Sequence, residues 1–199
     1  RAGAGFVCCV LAHLRQVKDP LAAASAARRL PPSSRLAIVH ARRALEPELG
    51  RAAEREMREN PRYRWLGDLP RARALSILAG SDLLVVSSRA EGGANVVSEA
   101  IACGRPVLSS RIEGSMGLLG EDHPGYFAAG DTSELAALLE RVEYDVAFRE
   151  ELAERSRRLA PRVDPARELE SWRALLGELF EKGGGMTELR LTQLVQGGG

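Results

Sequence analysis

A chain of 199 residues with 45% apolar content can bury one core of ordinary size, so the expectation is one domain or slightly more. Its 28 basic and 27 acidic residues leave a net charge of +1, which excludes a global field of the kind that draws a protein onto nucleic acid or an anionic membrane. Any anion site must then be local, and the longest apolar run, Phe6 to Leu11, is far short of the roughly 20 residues that span a bilayer.

No leader of basic, apolar and small residues precedes that run, so the expected location is the cytoplasm, without an integral membrane segment. The first residue is Arg1 and a strand pattern begins five residues later, which reads as truncation at the N-terminus. Cys8, Cys9 and Cys103 make an odd count without the paired spacing of a zinc site or a disulfide framework, and buried packing is expected of all three.

In chain order, Phe6 to Leu11, Leu36 to His40, Tyr63 to Leu66, Leu83 to Ser87 and Pro106 to Ser109 read as strands. Between them lie helical patterns: Pro20 to Leu30, Glu46 to Glu59, Arg71 to Leu78 and Val96 to Cys103, each bounded by Pro, Gly or Asn. Such alternation predicts an α/β fold, a Rossmann-like parallel sheet with helices on both faces, whose ligands bind beyond the carboxyl ends of the strands. After Gly130 the pattern becomes three charged amphipathic helices, Thr132 to Glu143, Ala147 to Leu159 and Pro165 to Phe180, expected to pack back across the sheet. Their Glu and Arg content reads as a solvated face with i,i+4 pairs.

The stretch from Glu91 to Val107 is the richest in chemistry. Gly92 and Gly93 let backbone approach a ligand closely, Asn95 is placed to cap a helix, and the helix beginning near Val96 offers unpaired N–H groups to an anion. That combination suits phosphate oxygens. Glu91 precedes the helix and Glu99 lies about one turn inside it, so two carboxylates stand at opposite ends of the cradle. An ionised carboxylate only accepts hydrogen bonds and suits sugar or ribose hydroxyls, and the set describes a nucleotide-sugar.

Glu91, Glu99 and the following Ala100-Ile101-Ala102-Cys103-Gly104-Arg105-Pro106-Val107 resemble the Glu-x7-Glu signature of retaining glycosyltransferases of family 4, which have the GT-B fold of two facing α/β domains. The resemblance implies that residues 1–182 are the C-terminal, donor-binding domain and that an N-terminal acceptor domain is missing. It implies contacts from Glu91 to the donor sugar, from Glu99 to the ribose, and from the backbone of Gly93, Ala94, Asn95 and Val96 to the phosphates.

A second element, Leu11 to Pro20, sets cations at the end of the first strand. In the family an Arg/Lys pair at this loop neutralises the leaving diphosphate, so no metal and no cofactor is implied. Lys18 aligns with the lysine; the arginine position holds His13, with Arg15 two residues later, and the reading favours Arg15 as the second cation. His13 is open to two readings, a hydrogen bond to the donor phosphate or packing at a strand end. His40 and His123 lack a second metal-type ligand and read as structural. His40-Ala41-Arg42-Arg43 departs from the family's glycine-rich turn, whereas Trp65-Leu66-Gly67 matches its strand and turn beside the nucleobase, with a buried aromatic as the alternative.

Within the family, His13 to Pro20, Asn60 to Gly67 and Gly117 to Phe127 resemble the selenosugar synthases of selenoneine biosynthesis, roughly over Phe6 to Phe180. That implies transfer of N-acetylglucosamine from UDP-N-acetylglucosamine to selenophosphate. Residues 183–199 form a Gly-rich linker followed by Met186 to Gly199, which resembles the start of selenide, water dikinase, the selenophosphate synthetase. A fused or overlapping gene with a selenocysteine codon after Gly199 is the expectation there, the alternative being a disordered Gly-rich tail. The rival readings are another family-4 transferase with a glycan or lipid acceptor, a fragment that binds UDP-sugar without turnover, and a sugar-nucleotide epimerase of the same architecture.

Overall fold

The computed structural model describes residues 5–92 and 95–164, together with 166, 169, 170 and 172–177. They divide into a unit over Arg1–Ala160 and a second over Pro161–Gly199. In the second, residues 169, 170 and 172–177 are helical, within the helix expected over Pro165 to Phe180; the tail that resembles a second enzyme lies outside the described residues.

The five expected strands all form: β1 (Val7–Leu11), β2 (Ala37–Ala41), β3 (Tyr63–Trp65), β4 (Leu83–Val86) and β5 (Val107–Ser110). A sixth, β6 (Tyr126–Phe127), is only two residues long, too short for an alternation signal to announce it. All pair in parallel, in the order β3-β2-β1-β4-β5-β6. The fold is therefore the expected Rossmann-like sheet. β4 and β5 are buried at every position, as strands covered on both faces require.

The helices are α1 (Ala22–Ala27), α2 (Pro47–Glu59), α3 (Arg71–Gly80), α4 (Asn95–Ala102), α5 (Glu113–Leu119), α6 (Thr132–Tyr144) and α7 (Val146–Leu159). α1 is almost all alanine, with five of its six residues buried, and these small side chains let it lie close between β2 and α6. Its core cluster draws Cys8 and Val10 from β1, Ile38, Tyr63, Leu83 and Val85 from the sheet, and Leu135, Leu139 and Val142 from α6. α6 and α7 do pack back over the sheet unit, α6 on α1 and α7 on α4 and β5. Asp131 caps α6 by accepting from the N–H groups of Ser133 and Glu134, and Asp145 ends α6 while capping α7 through Phe148 N–H at 3.0 Å.

Three expectations need correction. Asn95 is the first residue of α4, one place inside a cap. Helix α5 was not anticipated, because its seven residues carry two glycines and no apolar period. Cys8 and Cys9 are fully buried, their thiols pushed upward by desolvation, Cys9 to about 12, but Cys103 is only half-buried, beyond the end of α4.

Candidate functional site

The strand order reverses between β1 and β4: the chain builds outward from β1 to β3 and then outward from β4 to β6. In open parallel sheets the loops leaving the carboxyl ends of two such neighbours turn opposite ways, and ligands bind there.

On one side is the loop after β1. Leu14 anchors it, fully buried, with its N–H donating to Arg43 O at 3.1 Å and its carbonyl accepting from Leu45 N–H at 3.1 Å. A single 3-10 turn, Gln16–Lys18, follows; Gln16 N–H donates to the Glu46 carboxylate at 2.9 Å, and Asp19 closes the turn in the left-handed region at φ 43°. Lys18 thus projects from backbone fixed at both ends.

On the other side is the loop after β4, laced to the first through Ser87 and Arg89. The Ser87 hydroxyl donates to Asp19 O at 2.9 Å, Arg89 N–H donates to Val17 O at 2.8 Å, and the Arg89 guanidinium pairs with the Asp19 carboxylate at 2.7 Å. Across this seam Lys18 Nζ donates to Glu91 Oε1 at 2.6 Å. Ser88 donates to the same oxygen, and its own carbonyl accepts from the Ser110 hydroxyl at 2.5 Å. The Glu91 side chain is only 8% exposed, so its charge needs these partners. Behind it α5 presses close: a Cβ on Gly114 would stand 2.4 Å from Glu91 O.

Of the residues singled out in the sequence, the structure brings Lys18 and Glu91 into direct contact. Gly92 is exposed beside them and Asn95 and Val96 open α4, while Gly93 and Ala94 lie outside the described residues. Glu99, inside α4, is held by Arg71 of α3 at 2.8 Å. Arg15 is exposed, in extended backbone before the 3-10 turn, with no ion-pair partner among the described residues. His13 keeps Nδ1 buried without a partner among them. Ser88, Ser110, Arg89, Asp19 and Gly114 were not among the residues singled out in the sequence, and the serine pairs 87–88, just past β4, and 109–110, closing β5, carry no periodicity that would announce them. Among the described residues no three His, Cys, Asp or Glu side chains are grouped to hold a metal, and no helix is long and apolar enough to cross a membrane.

Residues 4–159 match the family of glycosyl transferases group 1. The chain belongs to that family. Solved structures agree on the fold: HepE of Anabaena in complex with UDP and glucose superposes with a TM-score of 0.78 at 21% identity, over 87% of this chain and 48% of that one. The same protein in complex with UDP gives 0.75 at 23%, over 87% and 49%. The OtsA apo structure gives 0.71 at 16%, over 87% and 44%. The chain therefore spans about half the length of these structures. No curated protein sequence matches it.

In this group 1 glycosyl transferase the two buried histidines, one on each side of the switch point, are structurally committed. His40 is fully buried and desolvation lowers its pKa to about 4, so it is neutral. Its Nε2–H donates to Ala12 O at 2.8 Å, leaving Nδ1 to accept from Tyr63 OH at 2.9 Å. His123 similarly donates from Nε2 to Val107 O at 2.9 Å. The Trp65 indole N–H donates to Arg42 O at 2.9 Å and the ring packs against the core. Arg42 has φ 121°, so the departure from a glycine-rich turn places a bulky residue in backbone that favours glycine.

Proposed function

We propose that the chain is the donor-binding half of a retaining glycosyltransferase that takes a UDP-sugar, and that the whole protein transfers N-acetylglucosamine from UDP-N-acetylglucosamine to selenophosphate. The observation that carries the donor site is the meeting of Lys18 and Glu91 at the β1/β4 switch point, beside the start of α4. A cation, a carboxylate and unpaired helix N–H groups at one site supply what a sugar diphosphate needs: charge on the leaving phosphates and an acceptor for sugar hydroxyls.

In this reading the bond from the anomeric carbon to the β-phosphate oxygen breaks with its electron pair passing to UDP. Lys18 and the α4 N-terminus stabilise that charge, and Arg15 at the mouth of the loop adds a second cation. The acceptor's selenium forms the new bond on the same face. Glu91 orients the sugar, Glu99 accepts from the ribose, and His13 donates to a phosphate. A Cβ on Gly92 would meet nothing within 4 Å, so internal packing does not demand glycine there and close ligand approach is the role assigned to it, shared with Gly93 and Ala94. Trp65 borders the nucleobase.

Anabaena HepE, solved in complex with UDP and with UDP-glucose, supports the donor class. The selenophosphate acceptor rests on the resemblance of 13–20, 60–67 and 117–127 to selenosugar synthases, and the tail supports association with a selenophosphate synthetase. Calorimetric titration with UDP-N-acetylglucosamine, with GDP-mannose as the contrast, tests the donor; selective heat for the first is expected, and none from folded protein would overturn the site. Product analysis with selenophosphate tests the acceptor.

A further inference from the structure

Glu91 is held in a way that the proposed donor site does not by itself require. Its Oε1 receives both Lys18 Nζ and the Ser88 hydroxyl, whereas Oε2 has no partner among the described residues. Both donors therefore fix one oxygen and leave the other available. They differ in what a ligand would do to them. Lys18, 26% exposed, carries a charge that a diphosphate competes for, but Ser88 is neutral, 2% exposed and itself anchored, its carbonyl accepting from Ser110 on β5.

Resting on the reading of Glu91 as the sugar contact, we infer that Ser88 is a positioning residue: it keeps the Glu91 carboxylate aimed at the donor sugar once Lys18 turns to the phosphates. The chain of contact runs from Ser110 at the end of β5, through Ser88 two residues beyond β4, to Glu91 in the loop that follows. A hydroxyl suits this task because its strength does not depend on the charge balance that a diphosphate alters. Rigid strand ends make the aim precise, since each member is fixed by the one behind it.

The test is calorimetry of the 199-residue chain with UDP and with UDP-N-acetylglucosamine. For wild type, the sugar-bearing ligand is expected to bind more tightly than UDP. Ser88→Ala should leave the UDP Kd within about twofold and lower the affinity for UDP-N-acetylglucosamine about tenfold, as the loss of one charge-assisted hydrogen bond implies. A merely structural role would weaken both ligands alike. Ser110→Ala, which removes only the anchor behind Ser88, should give the same pattern at smaller size, and it decides the matter if Ser88→Ala does not fold. If wild type gains from the sugar and the folded variants gain equally, the inference is overturned while the donor site stands. If wild type gains nothing from the sugar, the reading of Glu91 fails and the inference falls with it.

Discussion

Lys18 and Glu91 stand 73 residues apart in the chain and 2.6 Å apart in space, each on the loop that leaves one of the two strands flanking the switch point. The pair is neither a surface bridge nor a fully buried one, with side chains 26% and 8% exposed. Lys18→Met strands a nearly buried carboxylate and is expected to cost about 1–3 kcal/mol of stability. Adding Glu91→Gln should recover part of that loss. Urea denaturation of the two single variants and the double variant gives the coupling, expected at about 1 kcal/mol; a value near zero would deny the contact.

Glu99 offers a contrast, because its partner Arg71 is 72% exposed and the bridge is worth little on its own. Arg71→Ala should shift stability by less than ~0.5 kcal/mol and leave UDP affinity nearly unchanged. Glu99→Ala and Lys18→Ala should each weaken UDP binding by about 1–3 kcal/mol, the usual cost of a lost charge-assisted contact. Unchanged UDP affinity in both, measured by titration, would refute the site.

The strands that carry this site were legible because parallel strands covered on both faces read as short apolar runs; 83–86 is nothing else, and 107–108 opens β5 in the same way before its two serines. Glu91 was legible as a carboxylate beside Gly92 and Gly93 after a strand, and Glu99 and Lys18 through the resemblance of the Glu-x7-Glu stretch and of the loop after the first strand to family 4. Ser88 was not. A serine just past a strand has no periodicity to betray it, and its importance comes from a hydroxyl meeting Glu91 three positions on while Ser110 arrives from the neighbouring strand. Arg89 and Asp19 form a contact over 70 residues of sequence that no local rule foresees. Helix α5 stayed hidden because Gly114 serves close approach rather than helix propensity.

His40 should make the fold sensitive to acid. Its pKa falls from an ordinary 6.5 to about 4 through burial, so between those values the unfolded chain takes up a proton that the folded chain refuses. Stability is then full above about pH 6.5 and is lost as the pH drops toward 4, by up to about 3 kcal/mol. His123, also lowered by burial, adds to the loss with the same sign. Chemical denaturation at pH 7 and pH 5 should show a smaller drop in His40→Gln, whose side chain does not titrate. An equal drop would place the acid sensitivity elsewhere.

Two glycines of one helix should respond oppositely to the same substitution. Both Gly114 and Gly117 lie in α5, where alanine is intrinsically favoured over glycine by about 1 kcal/mol. At Gly117 a new Cβ would meet nothing within 4 Å, so Gly117→Ala is expected to stabilise by up to about that amount. At Gly114 the Cβ would lie 2.4 Å from Glu91 O and 3.0 Å from Glu91 C, both backbone atoms that cannot swing aside as a side-chain tip can. Either α5 or the Glu91 loop must move. Gly114→Ala is therefore expected to cost about 1–3 kcal/mol despite the better helix propensity. It should also shift the carboxylate that Lys18 and Ser88 hold, so donor affinity and stability fall together. Thermal melting and UDP-N-acetylglucosamine titration of both variants check this. Equal stabilisation by the two alanines would mean that α5 does not abut the Glu91 loop.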